Sequence, residues 1–243
     1  MVASSATLQI GVYGLEEHAC TGGRGCSLWP VGYSAALGAA GAVPITLRHR
    51  IGRQSWADVL GGLHGLVWAG KPHEDGCTST QEQRLCQWCR KNNFPLLAVD
   101  HGLHALNAVF GGTLHADLAR ELPEALQHRH PPERGLRHAI NIVGGTRLAG
   151  IYGEGEVVVN SEHRRGIARV ANGFQVSATA LDGVTEAIEW QGVAWFAMGV
   201  QWRPASMSAS GLDIQLFRGL VEAAEQRAGG RRKKARMACI SAA

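Results

Sequence analysis

The sequence lacks the features that would direct the chain into or across a membrane. None of its apolar runs reaches the roughly 18 residues that a transmembrane helix needs. Its first residues, MVASSATLQIGVYG, show no basic start followed by an apolar stretch, so we expect no signal peptide. Hydrophobic residues make up 45% of the 243 positions and charged residues 18%, which is ordinary globular composition. These observations favour a cytoplasmic protein without a membrane partner.

The sequence has six cysteines but lacks a second C-x-x-C motif, which argues against a cysteine-based zinc site. One C-x-x-C motif, Cys86 and Cys89, lies in QEQRLCQWCRKNN, a run typical of a helix that leads to a strand. A zinc site of this kind would need two further ligands at similar spacing, and a redox motif would normally follow the first strand of its domain. We therefore expect two reduced thiols on a helix face, with no metal and no other cofactor.

Part of the net charge of +4 lies in the last segment, GGRRKKARMACISAA. A basic run such as RRKKAR can contact nucleic acid, but a single basic segment that follows two glycines is typical of a solvated chain end. We therefore expect residues 229–243 to form a disordered basic tail and do not expect nucleic acid as a partner. Residues 1–228 are expected to form one domain.

Strand and helix patterns alternate along the first half of the chain. The apolar runs TLQIGVYG, LVWAGKP and FPLLAVD predict strands, and STQEQRLCQWCRKNN predicts a helix with Ser79 or Thr80 as its N-cap. This alternation predicts an α/β fold, with a mostly parallel sheet and helices on both faces. After Leu118, short strand-like runs broken by turns predict a β-rich second half, which ends in the helical segment GLDIQLFRGLVEAAEQRAG.

One segment, PLLAVDHGLHALNAVFGGTLHADL at residues 95–118, has the strand, tight turn and helix of a nucleophile elbow. It resembles the elbow of class I glutamine amidotransferases, in the peptidase C26 branch that contains γ-glutamyl-γ-aminobutyrate hydrolase. The similarity continues in order along nearly the whole chain, through GVYG, YSAALGAAGAVPITL, GLVWAG, VVVNSEHRRGI, ALDGVTEAIE and MGVQWRPAS. The resemblance implies a class I glutamine amidotransferase-like, flavodoxin-like domain.

The catalytic residues that the resemblance implies are replaced in this chain. In the family a cysteine thiolate attacks a γ-glutamyl amide, a histidine activates the cysteine, a glutamate orients the histidine, and backbone amides hold the oxyanion. Asp100 stands at the cysteine position, Arg203 at the histidine position and Ala205 at the glutamate position. Lys71 replaces a glycine of the oxyanion strand, and His104 replaces the elbow glutamine.

These replacements favour a protein that has lost amide hydrolysis. Arginine keeps its proton at any working pH, so Arg203 is not a general base, and a carboxylate that attacked an amide would form an anhydride. We expect Asp100 and Arg203 to form a charge-assisted, bidentate pair. The first hypothesis is therefore a protein without glutaminase activity that acts as a ligand-binding or partner subunit in γ-glutamyl amide metabolism. Its partners would be a small γ-glutamyl-type ligand and either a ligase or a second copy of the chain.

A second hypothesis keeps the chain as an enzyme. In this interpretation a diverged hydrolase acts on a γ-glutamyl or related amide and uses Asp100 with His101 or His104, since histidine can serve as a general base near neutral pH. A metal set made of Asp100, His101, His104 and His163 is chemically conceivable, because carboxylates and imidazoles suit zinc. No pair of histidines four residues apart supports that set.

The resemblance also implies a set of substrate contacts. Gly70 and Lys71 follow the oxyanion strand, and Asn160, Ser161 and His163 match the family segment that presents backbone groups to the glutamate end of the substrate. The alternative is that Asn-Ser only shapes a turn. Both interpretations of that segment stay open from the sequence.

Overall fold

The structure is a computed structural model that describes residues 7–14, 29–47, 54–70, 78–129 and 135–241. These residues form eleven strands and seven α-helices. In chain order they are β1 Gln9–Tyr13, α1 Trp29–Ala39, β2 Val43–Thr46, α2 Trp56–Leu60, β3 Gly65–Gly70, α3 Thr80–Lys91, β4 Leu96–Asp100, α4 His101–Val109, β5 Thr113–His115, α5 Leu118–Glu121, β6 Arg137–Ile142, α6 Arg147–Tyr152, β7 Gly155–Asn160, β8 Gly166–Arg169, β9 Phe174–Ala180, β10 Thr185–Trp190, β11 Ala197–Val200 and α7 Ile214–Ser241.

One half of the sheet is parallel, with the strand order β2-β1-β3-β4-β11. Strand β4 lies between β3 and β11, and Asp100 at its end is in register with Gly70 of β3. On the other side, Val99 is in register with Val200, the last residue of β11. The segment that follows β11 therefore starts beside Asp100, although about a hundred residues separate the two along the chain.

The other half of the sheet is antiparallel and continues from β11 through β10, β9, β6 and β7, with β8 joining β10 to β5. The predicted α/β fold with a β-rich second half is confirmed. The sheet is mixed rather than mostly parallel, because parallel pairing is confined to the strands β2, β1, β3, β4 and β11. The register between β9 and β10 shifts between Thr185 and Ala187. This shift makes Glu186 the extra residue of a β-bulge, a feature that redirects a side chain.

Helices cover both faces of the parallel half, as the sequence predicts. Val67 and Ala69 of β3 pack in one buried cluster with residues of α1, α6 and α7. Leu66 and Trp68 of the same strand pack in a second cluster with residues of α2, α3 and α4. Successive strand residues point to opposite faces, so a strand that is covered on both sides is continuously apolar.

Helix α3 has one of the two predicted N-cap residues and carries the two cysteines of the C-x-x-C motif. Helix α3 begins after Ser79, whose side chain accepts from the Glu82 amide while the Glu82 side chain accepts from the Ser79 backbone. Cys86 and Cys89 are buried free thiols on this helix, and burial raises the pKa of both.

Helix α7 continues to Ser241 through the segment where the sequence predicts a disordered tail. Alanine, arginine and lysine are strong helix formers and outweigh the two glycines.

In the described parts of the chain, no helix combines the length and the apolar character needed to cross a membrane.

Candidate functional site

The turn between β4 and α4 has the strained backbone of a nucleophile elbow. Asp100 adopts φ 52° and ψ −109°, in a region that non-glycine residues seldom occupy. A residue held there costs about 1–3 kcal/mol and persists only where its surroundings fix it. Gly102 is one such constraint, because a Cβ at this position would lie 2.3 Å from the Trp68 carbonyl oxygen. The first turn of α4 therefore packs directly on the backbone of β3.

Asp100 faces Arg203, which is the contact that the sequence predicts. Nε and Nη2 of Arg203 donate to Oδ2 of Asp100 at 3.1 and 2.9 Å. Oδ1 of Asp100 accepts from Nε2 of Gln201 at 3.2 Å. The guanidinium thus uses two donors but only one carboxylate oxygen, and the other oxygen is bonded to Gln201. The carboxylate and the guanidinium are 13% and 24% exposed.

Arg203 is fixed by two residues of the segment after β7. Its Nη1 donates to Oε2 of Glu162. Its backbone N–H donates to Oδ1 of Asn160 at 2.9 Å, and its carbonyl accepts from Nδ2 of Asn160 at 3.0 Å. The role of Glu162 is missed by sequence reasoning, because this residue occupies the variable position of the N-S-x-H pattern. An acidic residue at that position, in a chain with arginine at 203, is the only signal the sequence offers.

His104 extends this hydrogen-bond chain into the core. Its Nε2 lies 2.7 Å from Oε1 of Gln201, an oxygen that only accepts, so Nε2 carries the proton. Burial lowers the pKa of His104 to about 4, although Asp100 and Gln201 act in the opposite direction. His104 is therefore neutral near pH 7 and donates the Nε2 proton to Gln201.

His101 points away from this chain of contacts. Its Nε2 lies 3.2 Å from Oε1 of Glu82, the residue that caps α3. The other oxygen of Glu82 accepts from the backbone and the hydroxyl of Ser79 at 2.8 and 3.0 Å. Burial opposes the charge on Glu82, but its hydrogen bonds with His101 and Ser79 outweigh burial and lower its pKa to about 2. His101 and His104 thus have separate partners and do not form a pair.

The residues predicted to contact the substrate lie in different surroundings. Gly70 lies at the end of β3, where a Cβ would be in ordinary contact with the His101 ring at 3.5 Å. Lys71 lies outside the described residues. Asn160 bonds to the backbone of Arg203, as given above. Ser161 Oγ donates to the His128 carbonyl at 2.7 Å, and the Ser161 amide donates to the Leu136 carbonyl at 2.8 Å.

His163 does not join Asp100, His101 and His104, so the metal set considered from the sequence is not assembled. Its backbone amide donates to the His128 carbonyl at 3.2 Å, and its ring lies beside Glu186. The described residues that could hold a metal ion are instead His128, His138, His163 and Glu186. Three of these four residues were not candidates from the sequence, because they come from separate elements and have no local spacing pattern.

The sequence is similar to that of a known family and to two named proteins. The family model described as Peptidase C26 matches residues 10–205. A protein of Mycobacterium tuberculosis, named as a candidate glutamine amidotransferase, is 33% identical over 82% of this chain and 68% of its own length. A candidate glutamine amidotransferase-like protein of Rickettsia prowazekii is 27% identical over 79% of this chain and 88% of its own length.

A solved structure shares the fold. It is that of a candidate GMP synthase component from Thermoplasma acidophilum, which superposes with a TM-score of 0.68. The match covers 93% of this chain and 98% of that one, at 17% sequence identity. At this identity the similarity extends to the fold alone.

Proposed function

This chain belongs to the peptidase C26 family of class I glutamine amidotransferase-like proteins, and on that premise we propose that it is a binding protein without glutaminase activity that takes a small γ-glutamyl-type ligand. The observation that carries the proposal is that both oxygens of Asp100 are already bonded, one to Arg203 and the other to Gln201. A group in that position occupies the nucleophile site without acting as a nucleophile.

The chemistry of Asp100 supports this loss of activity. A carboxylate has about four lone-pair sites, and three N–H groups hold those of Asp100, two on Oδ2 and one on Oδ1, which fixes its orientation and lowers its reactivity as a nucleophile. Hydrogen bonds to a charged group are among the strongest in proteins, at about 1.5–3 kcal/mol each. Attack on an amide would break them and would also produce an anhydride, which is less stable than the amide it replaces.

Among the residues that the structure describes around the elbow, no histidine nitrogen is hydrogen-bonded to Asp100 in place of the family histidine. Arg203 stays protonated. Nε2 of His104 donates its proton to Gln201, and Nε2 of His101 is directed to Glu82. These contacts count against the alternative hydrolase, which would use Asp100 with His101 or His104.

The charges at the site favour binding of the α-ammonium group of a γ-glutamyl compound. Asp100 and Glu162 carry two negative charges against the single positive charge of Arg203. The Glu162 side chain is 29% exposed, so one face of its carboxylate meets solvent. In this proposal the α-ammonium group of the ligand binds at Glu162. A ligase that makes γ-glutamyl amides, or a second copy of the chain, is the partner that such a protein would serve.

An activity assay tests the loss of hydrolysis. The full chain is incubated with glutamine and a panel of γ-glutamyl amides, and released ammonia or amine is measured. We expect no release above the buffer blank, either from the unaltered chain or from Asp100→Ala. Release that is abolished in Asp100→Ala and retained in the exposed-site control Glu225→Gln would overturn the proposal and favour the diverged hydrolase.

A binding assay tests the ligand. Isothermal titration calorimetry with the same panel is expected to give saturable binding by the unaltered chain and weaker binding by Glu162→Gln. Glu225→Gln, which changes an exposed carboxylate of α7, is expected to bind as the unaltered chain does. If no member of the panel binds, or if Glu162→Gln binds as tightly as the control, the assigned ligand is wrong.

A further inference from the structure

A second group of ionisable side chains lies behind the segment that holds Arg203. Ring nitrogens of three histidines converge on a single carboxylate oxygen, Oε1 of Glu186. The distances are 3.3 Å from Nδ1 of His128, 3.6 Å from Nε2 of His138 and 3.2 Å from Nε2 of His163. These ligand-type atoms all lie within 4.8 Å of one another. We call His128, His138, His163 and Glu186 the three-histidine cluster.

The converging atoms are buried and lack hydrogen-bond partners. The side chains of His128, His163 and Glu186 are 2%, 3% and 0% exposed. The inward-facing nitrogen of each histidine and both oxygens of Glu186 make no hydrogen bond, because none of the short contacts has hydrogen-bond geometry. An unsatisfied buried polar group costs about 1–3 kcal/mol, and a charged one costs more. Five such atoms in one place point to a ligand that would satisfy them together.

The outward-facing nitrogens fix the tautomer of each ring. Nε2 of His128 lies 2.9 Å from Oδ2 of Asp182. Nδ1 of His138 lies 3.1 Å from the Ala139 carbonyl, and Nδ1 of His163 lies 2.8 Å from the Arg165 carbonyl. Carboxylates and carbonyls only accept, so these nitrogens carry the hydrogen. The opposite nitrogen of each neutral ring then directs a lone pair toward Glu186.

Lone pairs directed at a carboxylate repel it unless a cation lies between them. Protonation of one ring would still leave two lone pairs directed at the carboxylate. Protonation of all three would place cations close together, since the ring of His128 lies 4.9 Å from that of His138 and 4.7 Å from that of His163. Metal-binding histidines characteristically donate their other nitrogen to a carboxylate or a backbone carbonyl, which is the arrangement around all three rings.

The spacing of the cluster fits a tetrahedral ion. Zinc bonds to nitrogen and oxygen are about 2.0–2.2 Å long, so neighbouring ligand atoms of a tetrahedron lie about 3.4 Å apart. The nitrogen-to-oxygen distances of 3.2, 3.3 and 3.6 Å lie close to that value. Three imidazoles and one carboxylate also suit zinc better than magnesium or calcium, which prefer oxygen ligands.

We propose that the three-histidine cluster binds one divalent transition-metal ion of the zinc type in a closed site with four protein ligands. Four protein ligands leave no open coordination position, which is typical of a structural rather than a catalytic ion. The ion would join the antiparallel half of the sheet, since His138 lies on β6 and Glu186 at the bulge of β10. The proposal does not depend on whether the elbow is active.

The cluster shares a segment with the elbow. From Asn160 to His163, alternate residues serve the two sites: Asn160 and Glu162 contact Arg203, while Ser161 and His163 contact His128. An ion bound to His163 would therefore also fix the backbone from which Asn160 and Glu162 hold Arg203.

Metal content and cobalt substitution of the full chain test the site. After loading with Zn²⁺ and removal of free metal, elemental analysis is expected to give one equivalent per chain. Co²⁺ is expected to produce the intense visible bands of a tetrahedral N/O site. A chain that retains no zinc and gives only the weak spectrum of hydrated Co²⁺ would refute the proposal, independently of any result on amide hydrolysis.

Variants then assign the ligands. His138→Gln and Glu186→Gln are expected to lose the bound equivalent, and the control His115→Gln, at a histidine outside the cluster, is expected to keep it. Asp182→Asn removes an ionised partner of His128 and is expected to weaken zinc binding about 10- to 100-fold. Should Glu186→Gln fail to fold, the cobalt spectrum and His138→Gln still decide. Zinc binding by His138→Gln as tight as that of the unaltered chain would rule out this ligand set.

Discussion

The contact between Asp100 and Arg203 can be tested by measuring its coupling energy. The changes are Asp100→Asn, Arg203→Met and the two together. Asparagine tolerates positive φ better than most residues, so Asp100→Asn removes the charge with little additional backbone strain. If the pair stabilises the elbow, the double variant will be more stable than the sum of the two single effects predicts.

The magnitude follows from the contacts. Two guanidinium donors reach Oδ2 at 3.1 and 2.9 Å, and hydrogen bonds to charged groups contribute about 1.5–3 kcal/mol each. Because the side chains are 13% and 24% exposed, solvent screens part of this energy, and we expect a coupling of about 2 kcal/mol. Arg203→Met alone should destabilise by about 3 kcal/mol, since Glu162 also loses its partner. For a chain of this size that is a fall in melting temperature of about 10 °C.

Equilibrium urea unfolding, followed by tryptophan fluorescence, measures the free energy of unfolding of all four proteins. Arg120 and Asp117 provide a control pair, with a nitrogen-to-oxygen distance of 3.7 Å and an Arg120 side chain that is 87% exposed. Exposed pairs of this kind contribute about 0–1 kcal/mol. A coupling between Asp100 and Arg203 no larger than that of the control pair would refute the view that the pair stabilises the elbow.

Two further predictions concern the elbow helix. In the folded chain the pKa of His104 is lowered from 6.5 to about 4. As the pH falls, this histidine is therefore protonated in the unfolded chain before it is protonated in the folded chain. Acidification from about pH 6.5 to pH 4 should accordingly remove up to about 3 kcal/mol of stability. His104→Gln should flatten the unfolding free energy over this pH range, and an unchanged slope would contradict the buried neutral ring. Gly102→Ala should destabilise by about 1–3 kcal/mol in urea unfolding because its Cβ would lie 2.3 Å from the Trp68 carbonyl oxygen. Gly150→Ala in α6 meets nothing within 4 Å and should be neutral or stabilising, so equal effects of the two changes would contradict this reasoning.

The parts of the fold that follow from local patterns were predictable. Alternating strand and helix runs give the parallel half of the sheet, and the Ser79–Glu82 capping box marks the start of α3. The pairing of Asp100 with Arg203 was predictable because the family resemblance places both positions at one site. The course of α7 beyond Gly229 does not follow from the sequence pattern, because two consecutive glycines are typical of a helix end and the helix formers come only after them.

The remaining features depend on long-range register. Glu162 reaches Arg203 only because the segment after β7 passes beside the end of β11, and no local pattern encodes that approach. The three-histidine cluster joins residues from β6, β10 and two connecting segments. Its assembly depends on the bulge at Glu186 and on antiparallel pairings that span tens of residues. Zinc motifs are recognisable from sequence when their ligands are closely spaced, whereas the residues of this cluster are spread over separate elements of the chain.

The contact between Glu162 and Arg203 has a consequence for any redesign of the elbow. Restoring cysteine at 100, histidine at 203 and glutamate at 205 would leave the Glu162 carboxylate where it now meets the guanidinium. An imidazolium at position 203 would be drawn to that carboxylate and away from the sulfur. We therefore expect that building thiol chemistry into this elbow would need a change at Glu162 in addition to the three at 100, 203 and 205.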